Sequence, residues 1–390
     1  MSPIAEKVQT DPEAGKSKPE PPSFRLPAEW EPHAATWIAW PHERDDWPGK
    51  FGPIPWTYVE IVRLLSRAEP VHILVQSRRA QRRAADMLDR GSVDLQCVQF
   101  HRITTDRCWT RDYGPMFVER ESPPPEGKCL VALDWKFNGW SKYANHRHDN
   151  RVARDVARVL GMPRLKVEAE VDGKPERIVL EAGAIDANGQ GTLLATEECL
   201  LSAVQPRNPG LDRASLEQLF ARFLGAKHTI WLDRGIAGDD THGHVDDIAR
   251  FVDPHTVVTV VEKDEADFNF EPLQENWKRL SAARDQDGNA LRVVALPMPA
   301  PVLFDGQRLP ASYANFYIAN GLVLVPTFND PADREALATL AALLPDRQVV
   351  GVYAGDLVWG LGTLHCLTRD QPLGPVVESN DSQGTDSAGR

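Results

Sequence analysis

Asp112-Tyr113-Gly114-Pro115-Met116-Phe117-Val118 is a polar cluster that runs straight into an apolar stretch. One such lead-in says little, because an Asp beside Gly-Pro also makes an ordinary turn. Its recurrence says more. The arrangement returns at residues 181–196, 244–252 and 315–325, and at His365-Cys366 after Leu357-Val358-Trp359. The spacing is roughly 50 to 70 residues, as expected for ββαβ-type units repeated about an axis that gathers the polar strand ends at one centre. Any α/β protein has polar strand starts, however, and identity between the five stretches is negligible.

The 390 residues suit one large or two ordinary domains, with 42% hydrophobic content for a core. A net charge of -12 argues against a nucleic-acid partner, which needs a basic surface. It suits steering of a small cationic substrate. No apolar run approaches the roughly twenty residues that span a bilayer, so a membrane partner is not expected. The five cysteines are scattered without a CxxC pair, which disfavours a disulfide framework or structural zinc and suits a reducing cytoplasm. Residues 1–23 read as a Pro- and Glu-rich disordered leader without a secretory h-region, and 371–390 as a flexible tail. The folded domain is expected over 24–370. Periodicity predicts strands over 36–40, 71–75 and 93–100, and helices over 56–68, 80–88, 152–160, 215–224, 271–283 and 331–344. Asn320-Gly321 marks a hairpin, with Asn315 on its first strand.

The chemistry-bearing residues fall in the repeated clusters. Asp112, with Trp109 nearby, offers a carboxylate and an aromatic face that suit a planar cation. Glu181 directly follows Ile178-Val179-Leu180 and needs a partner if buried. Asp239-Asp240-Thr241-His242-Gly243-His244-Val245-Asp246-Asp247 is the richest cluster. In an extended segment His242, His244 and Asp246 would share one side. His-x-His-x-Asp resembles the metal loop of metallo-β-lactamase-like hydrolases, but Asp247 stands where their pattern has His. The alternative takes His244 as general acid/base and Asp246 as a second guanidinium-binding carboxylate. Cys366, in the apolar run after Trp359-Gly360-Leu361-Gly362-Thr363, reads either as a nucleophile within a short strand or as a small buried hydrophobe.

Together these motifs resemble the agmatine deiminase family, which includes bacterial-type peptidyl-arginine deiminases among the pentein-fold enzymes that modify guanidino groups. The resemblance runs collinearly through residues 26–33, 109–115, 191–197, 243–246, 315–317 and 364–366. It implies a five-bladed α/β propeller of ββαβ units around a central active site. It also implies hydrolysis of a guanidino group to a ureido group and ammonia through an S-alkylthiouronium at Cys366. Agmatine going to N-carbamoylputrescine is the leading reaction, and a peptidyl-arginine or other arginine-derivative deiminase is the alternative. A metal-dependent hydrolase built on His242, His244 and Asp246 is the third reading. Position by position, His244 matches the general acid/base, and Asp112 and Asp246 match the carboxylates that hold the guanidinium. Glu181 matches the residue that orients the histidine, Trp109 an aromatic of the substrate channel, and Asn315 a pocket residue. Neither metal nor cofactor is implied, and homo-oligomerisation stays open. Two departures stand out. Glu181-Ala182-Gly183 replaces Glu-Gly-Gly, and Gly360-Leu361-Gly362-Thr363-Leu364-His365-Cys366 replaces Gly-Gly-Gly-Asn-Ile-His-Cys.

Overall fold

The computed structural model describes residues 23–121, 128–171 and 173–374. The expected leader up to residue 22 and the tail from residue 375 lie outside these described residues.

The fold is α/β and rests on five sheets of three or four strands. One order repeats: an antiparallel pair, a helix, then a strand parallel to the second of the pair. Met116–Glu121 pairs with Lys128–Asp134, the helix Val152–Leu160 follows, and Arg164–Lys166 adds in parallel. Ile185–Ala187, Thr192–Thr196, the helix Arg213–Leu224 and His228–Leu232 form the next unit. Ala249–Asp253, Thr256–Val261, the helix Phe270–Ala282 and Arg292–Pro297 form another. Tyr317–Ala319, Leu322–Thr327, the helix Ala332–Leu343 and Gln348–Tyr353 form a fourth. The remaining unit draws on both ends of the described chain. His33–Ala39, the helix Ile54–Leu65 and Val71–Leu74 begin it, and Arg369–Pro372 supplies the missing antiparallel strand. The ββαβ repeat expected from the spacing is therefore present.

Local chemistry explains the elements. The helix Arg213–Leu224 starts where the Asp212 carboxylate accepts from the Ser215 N–H and ends at Gly225 in the left-handed region. Leu322–Thr327 is buried along nearly its whole length, as a strand flanked by partners and covered by a helix should be. Two expectations shift. The strand predicted over 93–100 is instead Val98–His101, because the Asp94 carboxylate caps a 3-10 turn at Leu95–Cys97. The domain also runs past residue 370, since Gln371 lies in the closing strand and accepts from the Trp37 indole at 2.8 Å. Among the described residues, no helix is long and apolar enough to cross a membrane.

One carboxylate ties the units together. Glu29 Oε1 accepts from Arg250 Nη2 at 2.8 Å and from the Ile318 N–H at 2.9 Å. Its Oε2 accepts from Arg111 Nη2 at 2.9 Å and faces His365 Nε2 at 2.8 Å. Arg250 also holds Asp186, and Arg111 holds Asp370. Burial would raise the Glu29 pKa, but Arg250, His365 and Arg111 outweigh it and hold the carboxyl well below its usual range. Replacing Glu29 by Gln takes one carboxylate partner from each of two buried guanidinium groups, Arg250 and Arg111, and equilibrium urea unfolding at pH 7 should show a loss of about 3 kcal/mol. A depressed carboxyl pKa stabilises the fold above the unfolded-state value and loses that contribution as pH falls. The gap between wild type and variant should therefore narrow on acidification below the ordinary carboxylate range.

Candidate active site

The lead-in to the first strand of each sheet supplies the site. Cys366 sits not in a strand but in a single helical turn, Leu364–Leu367, just before the closing strand. The reason lies far away in sequence. Asn315 Oδ1 accepts from the Thr363 hydroxyl at 2.7 Å and from the His365 N–H at 3.0 Å, which caps the turn. The Asn315 amide donates to Asp247 Oδ1 at 3.0 Å and approaches Cys366 Sγ at 3.1 Å. Asn315 itself precedes the strand Tyr317–Ala319 and is not part of it.

Asp112 lies in the helical turn Thr110–Tyr113, ahead of Met116–Glu121. Its Oδ2 accepts from the Trp140 indole at 2.9 Å and its Oδ1 from the Gly183 N–H at 3.3 Å. Asp246 lies in the 3-10 turn Val245–Asp247. Its Oδ2 is 2.6 Å from His365 Nδ1 and 3.7 Å from Cys366 Sγ. His244 Nδ1 stands between the two carboxylates, 3.8 Å from Asp112 Oδ1 and 4.0 Å from Asp246 Oδ1. Neither ring nitrogen of His244 has a hydrogen-bond partner among the described residues. Glu181 is fully buried, and its Oε1 accepts from Arg207 Nε at 2.9 Å. A Glu181 carboxylate oxygen, Cys199 Sγ and a His244 ring nitrogen all lie within 4.8 Å of one another.

The alternation expected to unite His242 with His244 and Asp246 does not occur. His242 and Gly243 both take positive φ, +67° and +90°, so the chain reverses instead of extending. The His242 ring Nε2 lies 3.2 Å from Ser202 Oγ, and the trio proposed as a metal site is not assembled.

A cavity of about 320 Å³ reaches this centre, lined by Cys366, Asp112, Trp109 and Trp140 among others. The space around these groups is tight. A Cβ on Gly183 would come within 2.6 Å of His244 Nδ1 and 2.9 Å of Asp112 Oδ1, so the glycine of the Glu-Ala-Gly stretch is required sterically.

Burial dominates the electrostatics. It pushes the Asp112 carboxyl up to about 7, with His244 opposing and Asp246 reinforcing the rise. It pushes the Cys366 thiol well above its usual value, aided by Asp246, Asp247 and Asp112. Asp247 is likewise driven well above the carboxylate range by burial and by Asp246 and Asp239. For His244 burial alone would lower the pKa, but Asp112, Cys199 and Asp246 together raise it well above the imidazole value. Asp246 runs the other way, because His365 and His244 overcome its burial and hold it low. Burial and neighbouring charge thus favour the neutral form of the thiol, the protonated form of His244 and the ionised form of Asp246.

Five residues at this centre carried no local signal that singled them out: Glu29, Trp140, Cys199, Arg207 and His365. Glu29 lay inside a matched stretch and His365 beside the cysteine. Trp140 follows Asn138-Gly139, a turn signal that conceals its φ of +57°.

Similarity to known proteins is consistent over nearly the whole chain. A family profile described as Porphyromonas-type peptidyl-arginine deiminase matches residues 25–372. An agmatine deiminase of Pseudomonas aeruginosa is 33% identical over 379 residues, covering 91% of this chain and 97% of the relative. An agmatine deiminase of Stutzerimonas stutzeri is 34% identical over 379 residues, with 91% and 97% covered. The solved structure of an agmatine deiminase of Enterococcus faecalis superposes with a TM-score of 0.79 at 29% identity, covering 90% of this chain and 96% of that one. With its five ββαβ units and its clustered thiol, imidazole and carboxylates, this chain belongs to the Porphyromonas-type peptidyl-arginine deiminase family, alongside these agmatine deiminases.

Proposed function

We propose that this protein hydrolyses the guanidino group of agmatine to N-carbamoylputrescine and ammonia, with Cys366 as nucleophile. The observation that carries the reading is that Cys366 and Asp112 line one small cavity, with Asp246 Oδ2 3.7 Å from Cys366 Sγ and His244 between the two carboxylates. The curated relatives named agmatine deiminases support the substrate. The cavity also suits a small cation better than a peptide. It holds about 320 Å³, and Asp45, Asp240 and Asp305 are among the residues that line it. The free, unpaired cysteines fit a reducing cytoplasm.

The chemistry follows from the charges. A guanidinium is a delocalised cation and a poor electrophile. Asp112 and Asp246 accept its N–H groups and fix its plane beside Cys366 Sγ. The incoming positive charge reverses what burial and the carboxylates impose on the thiol, so the thiol releases its proton to solvent and the thiolate forms where it is needed. Sulfur attacks the central carbon. The His244 imidazolium gives its proton to one nitrogen, and ammonia departs from the tetrahedral adduct, leaving an S-alkylthiouronium. Neutral His244 then takes one proton from water as the hydroxyl adds, which restores the imidazolium. Collapse of the second adduct breaks the C–S bond, releases the ureido product and passes the hydroxyl proton to the departing sulfur, which restores the thiol, while ammonia takes up the proton first released. Glu181, anchored by Arg207, orients His244, while Trp109 forms a wall of the channel. Asn315 holds the turn that carries the sulfur.

Ureido-product assays on agmatine, arginine and a C-terminal arginyl peptide should show agmatine turned over with the highest kcat/KM. A preference for the peptide would move the assignment to the peptidyl-arginine reading. Cys366→Ala should abolish turnover while leaving agmatine binding measurable by calorimetry, and turnover near wild type would remove the nucleophile assignment. Asp246→Asn should cost about 3 kcal/mol in kcat/KM, since a hydrogen-bonded charge loses its partner. A raised carboxyl pKa leaves Asp112 protonated at low pH, so kcat/KM for agmatine should rise with pH through about 7. In Asp112→Asn the residual activity should lack that acid limb, and a limb surviving unmoved would assign it to another group.

A further inference from the structure

Leu361 occupies a backbone conformation that a side chain normally avoids. Its φ of +67° and ψ of 25° lie in the left-handed region, which glycine tolerates and β-carbon-bearing residues do not favour. It terminates the 3-10 turn Leu357–Gly360. Both neighbours are glycines for steric reasons. A Cβ on Gly360 would lie 2.6 Å from the Trp47 ring, and one on Gly362 would lie 2.9 Å from the Trp109 ring and 3.1 Å from the Cys366 Cβ. Two positions of this loop therefore exclude a side chain, and the third carries a leucine despite its conformation. Strain of this kind persists where the side chain is needed and the surroundings hold it.

Leu361 lines the same cavity as Cys366, Trp109, Trp140 and Trp359. It lies five residues before Cys366 on the loop that leads directly into the turn bearing the sulfur. No polar group of this side chain can bind substrate, so its contribution is volume and apolar surface. Asp45, Asp240 and Asp305, which line the same cavity, already oppose an anionic tail by charge. They do not oppose a neutral bulky one.

We propose that Leu361 is a specificity-determining residue that narrows the cavity to guanidines with a slender, unbranched methylene chain and rejects substrates broadened beyond it. This inference rests on the deiminase reading above and concerns which guanidines the same site admits. The charged wall discriminates by sign, and Leu361 discriminates by girth.

The test uses two substrates, agmatine and N-acetyl-arginine amide, whose distal end is bulky but uncharged. The readout is the ratio of their kcat/KM values, so that a general loss of activity cancels. Leu361→Ala removes the bulk while keeping a β-carbon, and Leu361→Gly removes the bulk and the strained conformation together. Both should raise the ratio in favour of the broad substrate roughly tenfold, the scale at which hydrophobic pocket volume discriminates. The gain should appear mainly as a lower KM for the amide. Leu361→Met conserves volume and should keep the wild-type ratio. An unchanged ratio in both Ala and Gly variants, each soluble with a wild-type circular dichroism spectrum, overturns the proposal. A wild-type enzyme that fails to turn over agmatine would instead overturn the proposed function, so the two failures are distinguishable.

Discussion

The Glu29 carboxylate is the interaction on which the site depends. It receives Arg250, Arg111, the Ile318 N–H and the His365 ring. These partners come from lead-ins or strands of different sheets, so one buried anion holds together segments that no backbone ladder joins. Such a charge is tolerable only because it is fully paired. The pairing also reaches the chemistry. His365 faces Glu29 with Nε2 and Asp246 with Nδ1, so the ring is held at both nitrogens. The orientation of the Asp246 carboxylate beside Cys366 is thus set from the opposite side of the histidine.

The reactive centre is organised around an electrostatic deficit. Three aspartates, Asp112, Asp246 and Asp247, are buried near the thiol; burial first, and then these aspartates, push the Cys366 pKa up. A cation placed among them relieves the crowding. In the proposed mechanism substrate recognition and nucleophile activation are then the same event, because the charge that the carboxylates bind is the charge that stabilises the thiolate. A neutral thiol is also less open to oxidation or stray alkylation, which require thiolate. In the proposed mechanism His244 meets the complementary need: it lies between two carboxylates, and neither ring nitrogen has a hydrogen-bond partner among the described residues.

Close packing enforces these distances. Gly183 and Gly362 each sit where a single methyl would press on His244 or on Trp109 and Cys366. The family pattern is kept at these two glycines, whereas Ala182 and Leu361 depart from it at positions where a side chain fits or lines the cavity. Steric necessity and freedom to vary therefore alternate within a few residues of the same loops.

The sequence alone determined the class of fold and the kinds of group at the site. Polar clusters recurring before apolar runs marked the five sheets, since a buried strand must be apolar while its lead-in is free to carry chemistry. Helix positions followed from apolar spacing and caps, both local properties. The identities of Cys366, His244, Asp112, Asp246 and Glu181 as a set came from ordered motifs along the chain. Tertiary structure decided their local conformations and their partners. Cys366 lies on a helical turn because Asn315 satisfies a backbone donor there, and no local pattern encodes a partner some fifty residues away. His242 leaves the site because two left-handed residues reverse the chain. The ionisation states of the thiol and carboxylates, the hub at Glu29 and the strained leucine lining the cavity exist only once the five units are packed together. Burial and through-space charge, which set them, are properties of the assembled fold.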